Sequence, residues 1–429
     1  MAKKIIGLLL LFCLTGLPIG NAIAYNNHSL PHFLTKTQNA EIKTSQNEYW
    51  IQWQQEYGNE WDTGARFQGP QSIGDCDNDG KNELLIGGTD PNLRVMKWDE
   101  KEKTYIQSAV VHPPFYPFVR CGCGGFAIGD LTGDGKNEIA TTWNAAIYQY
   151  RMGRYWMIGM NSWIFRNGGG SADCYIGDCD NDGKNDLIMS GGPYSKNSTI
   201  PLITIFKWNG WRLVKVASWD NDSVPPRQGS PRYVYMSGLG DVDDDGLNEI
   251  VCAYANKIFV LKWNTQHHAF DSQVIFDYPY DPNNPNDEPF SVVCKDCDND
   301  GKAEILLGYF SSHFTIFKWN GTEYRMQYDW RFGGYDFPGV IEGIDVGDTD
   351  NDGRNEICVG TGIVRIFEWS WYYGYEQTTV LPTYGTLSVV SIGDCDNDGK
   401  NEINVANVMV EHPGQQYMEW VFKYGWINN

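Results

Sequence analysis

One nine-residue pattern, Asp-Xaa-Asp-Xaa-Asp-Gly-Xaa-Xaa-Glu, recurs seven times and limits what this chain can fold into. The copies occupy 75–83, 130–138, 178–186, 241–249, 296–304, 348–356 and 394–402, and their starts are 55, 48, 63, 55, 52 and 46 residues apart. A period near 50 residues belongs to a propeller or solenoid whose units each hold one small sheet. Length alone, 429 residues, would otherwise allow two or three unrelated domains.

Within a copy, acidic side chains stand at positions 1, 3, 5 and 9 and glycine stands at 6. The candidate ligands are Asp75, Asp77, Asp79 and Glu83; Asp130, Thr132, Asp134 and Glu138; Asp178, Asp180, Asp182 and Asp186; and Asp241, Asp243, Asp245 and Glu249. They continue with Asp296, Asp298, Asp300 and Glu304; Asp348, Asp350, Asp352 and Glu356; and Asp394, Asp396, Asp398 and Glu402. Alternate carboxylates converge only where the chain turns sharply, which glycine permits. The result is a cage of hard oxygens of the kind Ca²⁺ takes, whereas Mg²⁺ keeps more water. No histidine shares the loops to favour a softer metal.

An EF-hand opens in the same way but carries its bidentate acid at position 12. Position 12 here is Ile86, Thr141, Met189, Cys252, Leu307, Val359 or Val405, none of them acidic. The fourth carboxylate sits at position 9 instead, between short apolar runs that read as strands. One such stretch is an ordinary solvated turn; seven sharing a ninth-position acid imply up to seven Ca²⁺ ions, one per repeat. The second copy, with Thr132 and Gly133, has three carboxylates and is expected to bind most weakly. The ligand positions hold 27 of the 54 acidic residues, so bound cations would offset much of the formal charge of −21, and without them the clustered carboxylates repel one another.

A second element follows each loop: an alternating run ending in an aromatic, at Trp98, Tyr150, Trp208, Trp263, Trp319, Trp369 and Tyr424, several followed by Asn-Gly. The alternation reads as a strand and Asn-Gly as a tight hairpin; the aromatic slot is expected to pack between blades. Each unit is then strand, acidic loop, strand, connection, strand, turn, strand, which is a propeller blade. The last unit lacks a fourth strand, and residues 48–57, with Trp50 and Trp53, supply one from the other end. The expected fold is all-β: a seven-bladed β-propeller of four-stranded antiparallel blades, closed by the N-terminal strand completing the last blade, which also removes an exposed edge.

The Gly-Asp-Xaa-Asp-Xaa-Asp-Gly-Xaa-Asn-Glu units resemble FG-GAP and VCBS repeats, as in the integrin alpha propeller and many bacterial and archaeal secreted proteins. The resemblance covers about 48–429 and rests on the calcium-loop motif; 65–70, Ala-Arg-Phe-Gln-Gly-Pro, is a loose echo of the Phe-Gly and Gly-Ala-Pro parts. It implies a calcium-binding β-propeller.

In an antiparallel blade the acidic loops and the hairpin turns share one face, and the loops between blades lie on the other. Those predicted loops, 58–70, 110–125, 163–171, 218–235, 276–291 and 329–343, contain no lysine but hold Arg66, Arg120, Arg166, Arg227, Arg232 and Arg331 among aromatic residues. Guanidinium groups grip carboxylates bidentately and stack on rings, so a saccharide, acidic in one version, is the candidate ligand; the same residues can equally pin irregular loops. Two functions follow: a non-catalytic binding or adhesion module for an extracellular glycan or protein, and, as the alternative, a calcium-dependent polysaccharide lyase. The only acid–base candidates for the latter, His112, His313 and His412, stand singly without a supporting motif.

Residues 1–24 have a charged start, an apolar run and a small-x-small end, the pattern of a secretory signal cleaved after Ala24. This leaves 25–47 as a linker and 48–429 as the propeller, secreted or at the cell surface, without membrane insertion and as a monomer. The acidic charge argues against nucleic acid and anionic lipid. Of eleven cysteines, Cys76, Cys179, Cys297 and Cys395 share loop position 2, where other copies place Leu131, Val242 and Thr349. Residues on separate sheets about 10 Å apart are too distant to bridge, so few or no disulfides are expected.

Overall fold

The structure, a computed structural model, describes residues 48–57, 72–88, 90–120, 122, 124–193, 198–221, 232–278, 288–332, 340–385, 387–409 and 417–425. Signal, linker and Arg-loop readings that fall on the other residues lie outside the described ones. Twenty-eight strands form seven four-stranded antiparallel sheets. Blade 1 is β2 (Ile73–Gly74), β3 (Glu83–Ile86), β4 (Leu93–Asp99) and β5 (Thr104–Val111). Blade 2 is β6 (Phe126–Gly129), β7 (Glu138–Thr141), β8 (Ala146–Arg151) and β9 (Arg154–Gly159), followed by the short helix α1 (Trp163–Arg166). Blade 3 is β10 (Gly169–Gly177), β11 (Asp186–Pro193), β12 (Ile203–Trp208) and β13 (Leu213–Trp219). Blade 4 is β14 (Ser237–Gly240), β15 (Glu249–Tyr254), β16 (Lys257–Asn264) and β17 (Ala269–Asp277).

Blade 5 is β18 (Pro289–Lys295), β19 (Glu304–Tyr309), β20 (His313–Trp319) and β21 (Tyr324–Arg331), and blade 6 is β22 (Gly343–Gly347), β23 (Glu356–Gly360), β24 (Val364–Ser370) and β25 (Gly374–Leu381). Blade 7 is β26 (Leu387–Gly393), β27 (Glu402–Met409) and β28 (Met418–Gly425), with β1 (Glu48–Glu56) paired to β28 as its outer strand. The N-terminal strand therefore completes the last blade, as the sequence implies. No helix among the described residues is long and apolar enough to cross a membrane.

Burial explains why the units close into a ring. Seven apolar clusters each draw on two neighbouring blades: Ile188, Ile203 and Phe259 join blades 3 and 4, for instance, and Trp53, Leu84, Cys395 and Val421 join blades 7 and 1. A blade alone would leave both faces of its sheet wet; stacking buries them. The innermost strands crowd most. A Cβ on Gly177 would lie 2.3 Å from Leu239, and one on Gly347 2.9 Å from Ile392, so before loops 3 and 6 the neighbouring blade requires glycine.

The aromatic slot does two jobs, of which inter-blade packing is one. Trp98, Trp319 and Trp369 stand opposite Tyr105, Tyr324 and Tyr375 across the hairpin of their own blade, with ring centroids 4.6–5.0 Å apart. Trp208 also reaches Gly159 of the preceding blade. In every blade the fourth strand carries one extra residue against the third, between Val95 and Met96 in blade 1 and at matching places elsewhere. Such bulges increase the twist of the outer edge.

Candidate metal centres

Each acidic loop is held by its own first aspartate. In loop 1, Asp75 accepts from the backbone N–H groups of Asp79 at 3.0 Å and Gly80 at 2.9 Å, and the same pair recurs in the other loops. The turn needs left-handed backbone at positions 4 and 6. Asn78, Asn181, Asp244, Asn299, Asn351 and Asn397 have φ of 60–64°, and Gly133 in loop 2 has 72°; asparagine, aspartate and glycine tolerate this region best. The ninth-position acid opens the next strand and turns back to cap the loop, as Glu83 does toward the N–H groups of Cys76 at 3.0 Å and Asp77 at 3.2 Å.

Carboxylate oxygens consequently converge. The groups Asp75, Asp77, Asp79, Glu83 and Asp348, Asp350, Asp352, Glu356 each bring four within 4.8 Å of one another; Asp178, Asp180, Asp186, then Asp241, Asp243, Asp245, and then Asp296, Asp298, Asp300 bring three. Burial pushes Glu138, Glu249, Glu356 and Glu402 up to about 7 and Asp186 up to about 6. The Oδ1 atoms of Asp77, Asp243 and Asp298 are buried with no hydrogen-bond partner. Buried carboxylate oxygens without donors are costly unless a cation meets them, and an all-oxygen donor set suits a hard one.

Sequence reasoning missed what else enters five of these cages. The residue just before the aromatic slot is lysine in blades 1, 3, 4, 5 and 7, and its ammonium lies among the carboxylates. Lys97 Nζ is 2.7 Å from Asp77 and Asp79 and 3.2 Å from Glu83. Lys207 meets Asp180, Asp182 and Asp186 at 2.8–3.1 Å, Lys318 meets Asp298, Asp300 and Glu304 at 2.5–2.8 Å, and Lys423 meets Asp396, Asp398 and Glu402 at 2.5–2.8 Å. Lys262 pairs with Asp243 and Asp245. In blade 2, Gln149 donates to Asp134 at 3.2 Å and Glu138 at 2.5 Å, and in blade 6 the position is Glu368, which is exposed. The lysines were visible in the sequence beside the repeated aromatic; the contact required the hairpin to fold back onto the loop.

A ring of asparagines links neighbouring loops. Asn78 Nδ2 donates to the carbonyl of Asn137, Asn137 N–H donates to Asn78 Oδ1 at 2.7 Å, and Asn137 Nδ2 donates to the carbonyl of Asp75 at 2.8 Å. The exchange repeats between loops 3 and 4, 5 and 6, 6 and 7, and 7 and 1. Between loops 2 and 3 one bond remains, Asn185 to the Asp130 carbonyl, because Gly133 has no side chain. Between loops 4 and 5, Lys302 pairs with Asp244 instead.

Residues 241–307 and 296–359 match the FG-GAP-like repeat family. Those two stretches carry FG-GAP-like repeats within a seven-bladed β-propeller. No curated protein matches it in sequence. Among solved structures it is similar to one described as "Structure of Dos1 propeller", at 11% identity, covering 80% of this chain and 74% of that chain, with a TM-score of 0.47.

On the face opposite the acidic loops of this propeller, the predicted arginines that the structure describes belong to different blades. Arg120 is exposed, with its guanidinium 5.9 Å from the Tyr116 ring centroid. Arg166 is exposed at the end of α1 and Arg331 at the end of β21. Arg232 pairs with Asp220 and donates to the Ile200 carbonyl at 3.0 Å, so it pins its loop. Arg66, Arg227 and His412 lie outside the described residues. His313 is 1% exposed, bonded to Asp329 at 2.9 Å and stacked on Tyr309; His112 is half-buried and stacked on Tyr116.

The acidic face carries exposed aromatics at hairpin turns that sequence reasoning did not single out, Trp211, Trp371, Tyr372 and Tyr373. A cleft of about 580 Å³ between blades 2 and 3 is lined by Arg151, Trp156, Trp208 and Trp211. All eight described thiols are free and buried; Cys76 and Cys395 meet Tyr155 and Tyr105 hydroxyls of the following blade at 2.9–3.0 Å.

Proposed function

We propose that this propeller is a secreted, calcium-stabilised, non-catalytic binding module whose ligand is a saccharide held on the face opposite the acidic loops. The observation that carries the ligand reading is the segment 113–120. There Phe115, Tyr116 and Phe118 are exposed, and Arg120 stands over the Tyr116 ring. Flat rings stack on sugar faces, and a guanidinium beside them takes a sugar carboxylate or hydroxyl. Rigid scaffold with exposed connecting loops is the usual arrangement for recognition. The calcium reading is supported by convergent carboxylates, those of loop 6 having no lysine at the strand position that supplies one in five other blades.

The alternative, a calcium-dependent lyase, needs an acid–base group at the ligand. His313 is buried behind Asp329 and Tyr309, whereas His112, half-buried and stacked on Tyr116, is the candidate that stands at the proposed site. A glycan array with the mature protein tests the reading. Binding is expected, and Tyr116→Ala with Arg120→Ala is expected to weaken it at least tenfold while Trp211→Ala leaves it unchanged. Binding lost with Trp211→Ala instead would move the site to the cleft on the acidic face, and product release from acidic polysaccharides would make the protein an enzyme. For the metal, EGTA is expected to lower the melting temperature, because an ion that binds only the native state stabilises it; an unmoved transition refutes calcium loading.

A further inference from the structure

We infer that the seven acidic loops are not equivalent: in five the chain supplies its own cation, and the loop of blade 6 is the one left for a tight divalent ion. This rests on the calcium reading above and makes Lys97, Lys207, Lys262, Lys318 and Lys423 determinants of which loops load.

The argument is geometric. The ammonium of Lys97 touches oxygens from positions 3, 5 and 9, and Lys207, Lys318 and Lys423 repeat the arrangement within 3.1 Å. Those are the three side-chain oxygens that a calcium ion, bonded at about 2.3–2.6 Å, would need. An ammonium and a divalent ion cannot share them, since like charges a few ångströms apart repel strongly. Loading a lysine-bearing loop therefore requires the ammonium to leave a partly buried ion-pair network.

Blade 6 is built the other way. Glu368 stands at the lysine position, so no cation of the chain reaches the cage from that strand. Glu356, 3% exposed, uses Oε2 to accept from the N–H and hydroxyl of Thr349 at 2.7 and 2.6 Å. Its Oε1, the oxygen that meets lysine in blades 1, 5 and 7, has no hydrogen-bond partner among the described residues. One carboxylate oxygen from each of Asp348, Asp350, Asp352 and Glu356 lies within 4.8 Å of the others, so four carboxylates converge without a counter-charge among the described residues. Blade 2 is intermediate: Gln149 is neutral, but Thr132 reduces the carboxylates to three.

Calcium titration of the EGTA-treated, desalted full mature chain by calorimetry tests this, with terbium luminescence as a second readout and circular dichroism to verify folding. One tight ion is expected for the parent. Lys97→Met is expected to raise the tight count to two, and Glu368→Lys to weaken the parent site at least tenfold. Should Glu368→Lys not fold, Lys97→Met decides alone. A parent that takes two or more tight ions, or a folded Lys97→Met protein whose count does not rise, overturns the inference and leaves calcium loading intact. Absence of binding in both proteins overturns the calcium reading together with this one.

Discussion

Glu342, just before β22, is fully buried, and neither of its carboxylate oxygens has a hydrogen-bond partner. Burial raises its pKa well above the ordinary 4.5, and the Asp173 carboxylate adds to the rise. Asp173 is itself buried and raised for the same reason. An acid whose folded-state pKa is raised binds more protons in the native than in the unfolded state between the two values. Stability contributed by that proton is complete below the unfolded value and is lost as pH climbs toward the folded one. Each pH unit above about 4.5 then costs up to about 1.4 kcal/mol until the folded pKa is reached. Glu342→Gln, neutral in both states, removes that slope. Urea denaturation at pH 4 and pH 8 is expected to show near-equal stability for parent and variant at the lower pH and a more stable variant at the higher. Parallel curves would mean that Glu342 is not the proton carrier.

At the scale of the element, the acidic hairpin combines three tasks. Position 1 folds the loop, positions 3, 5 and 9 gather charge, and the asparagines at positions 4 and 8 fasten it to its neighbours. The first two were legible in the sequence, because acid spacing and a glycine at position 6 have direct meaning for a turn and a cation. Boundaries of the predicted inter-blade loops were less so: β10, β18 and β22 begin, and β13, β17 and β21 end, inside them. The asparagine exchange was hidden, since its partners are 50–70 residues apart, or 315 across the closure. Neither asparagine shows a pattern within its own loop that demands a distant carbonyl. The lysine in the cage was half-visible, as a repeated residue without an assigned partner. The ligand-face arginines were legible as composition only; Arg232 turned out to be tied to Asp220 and the Ile200 carbonyl.

For the whole molecule, the first and last strands together decide whether seven weakly self-sufficient sheets act as one body. β1 pairs with β28 along its length, and Trp53, 8% exposed, sits in the cluster shared by blades 7 and 1 with its ring 5.3 Å from Tyr105. Asn82 and Asn397 join the same two blades on the acidic face, and Ser72 and Ser391 join them near the axis at 2.5 Å. Opening this one seam converts a ring into a row with two exposed blade faces, so damage there is felt by all the blades. Trp53→Ala removes the largest buried side chain of the seam cluster and is expected to cost about 3–5 kcal/mol, the usual range for deleting a buried aromatic. Equilibrium unfolding in urea should show a lower midpoint with one transition retained. A loss below about 1 kcal/mol, within the range of ordinary surface substitutions and small packing changes, would show that the ring holds without the N-terminal strand.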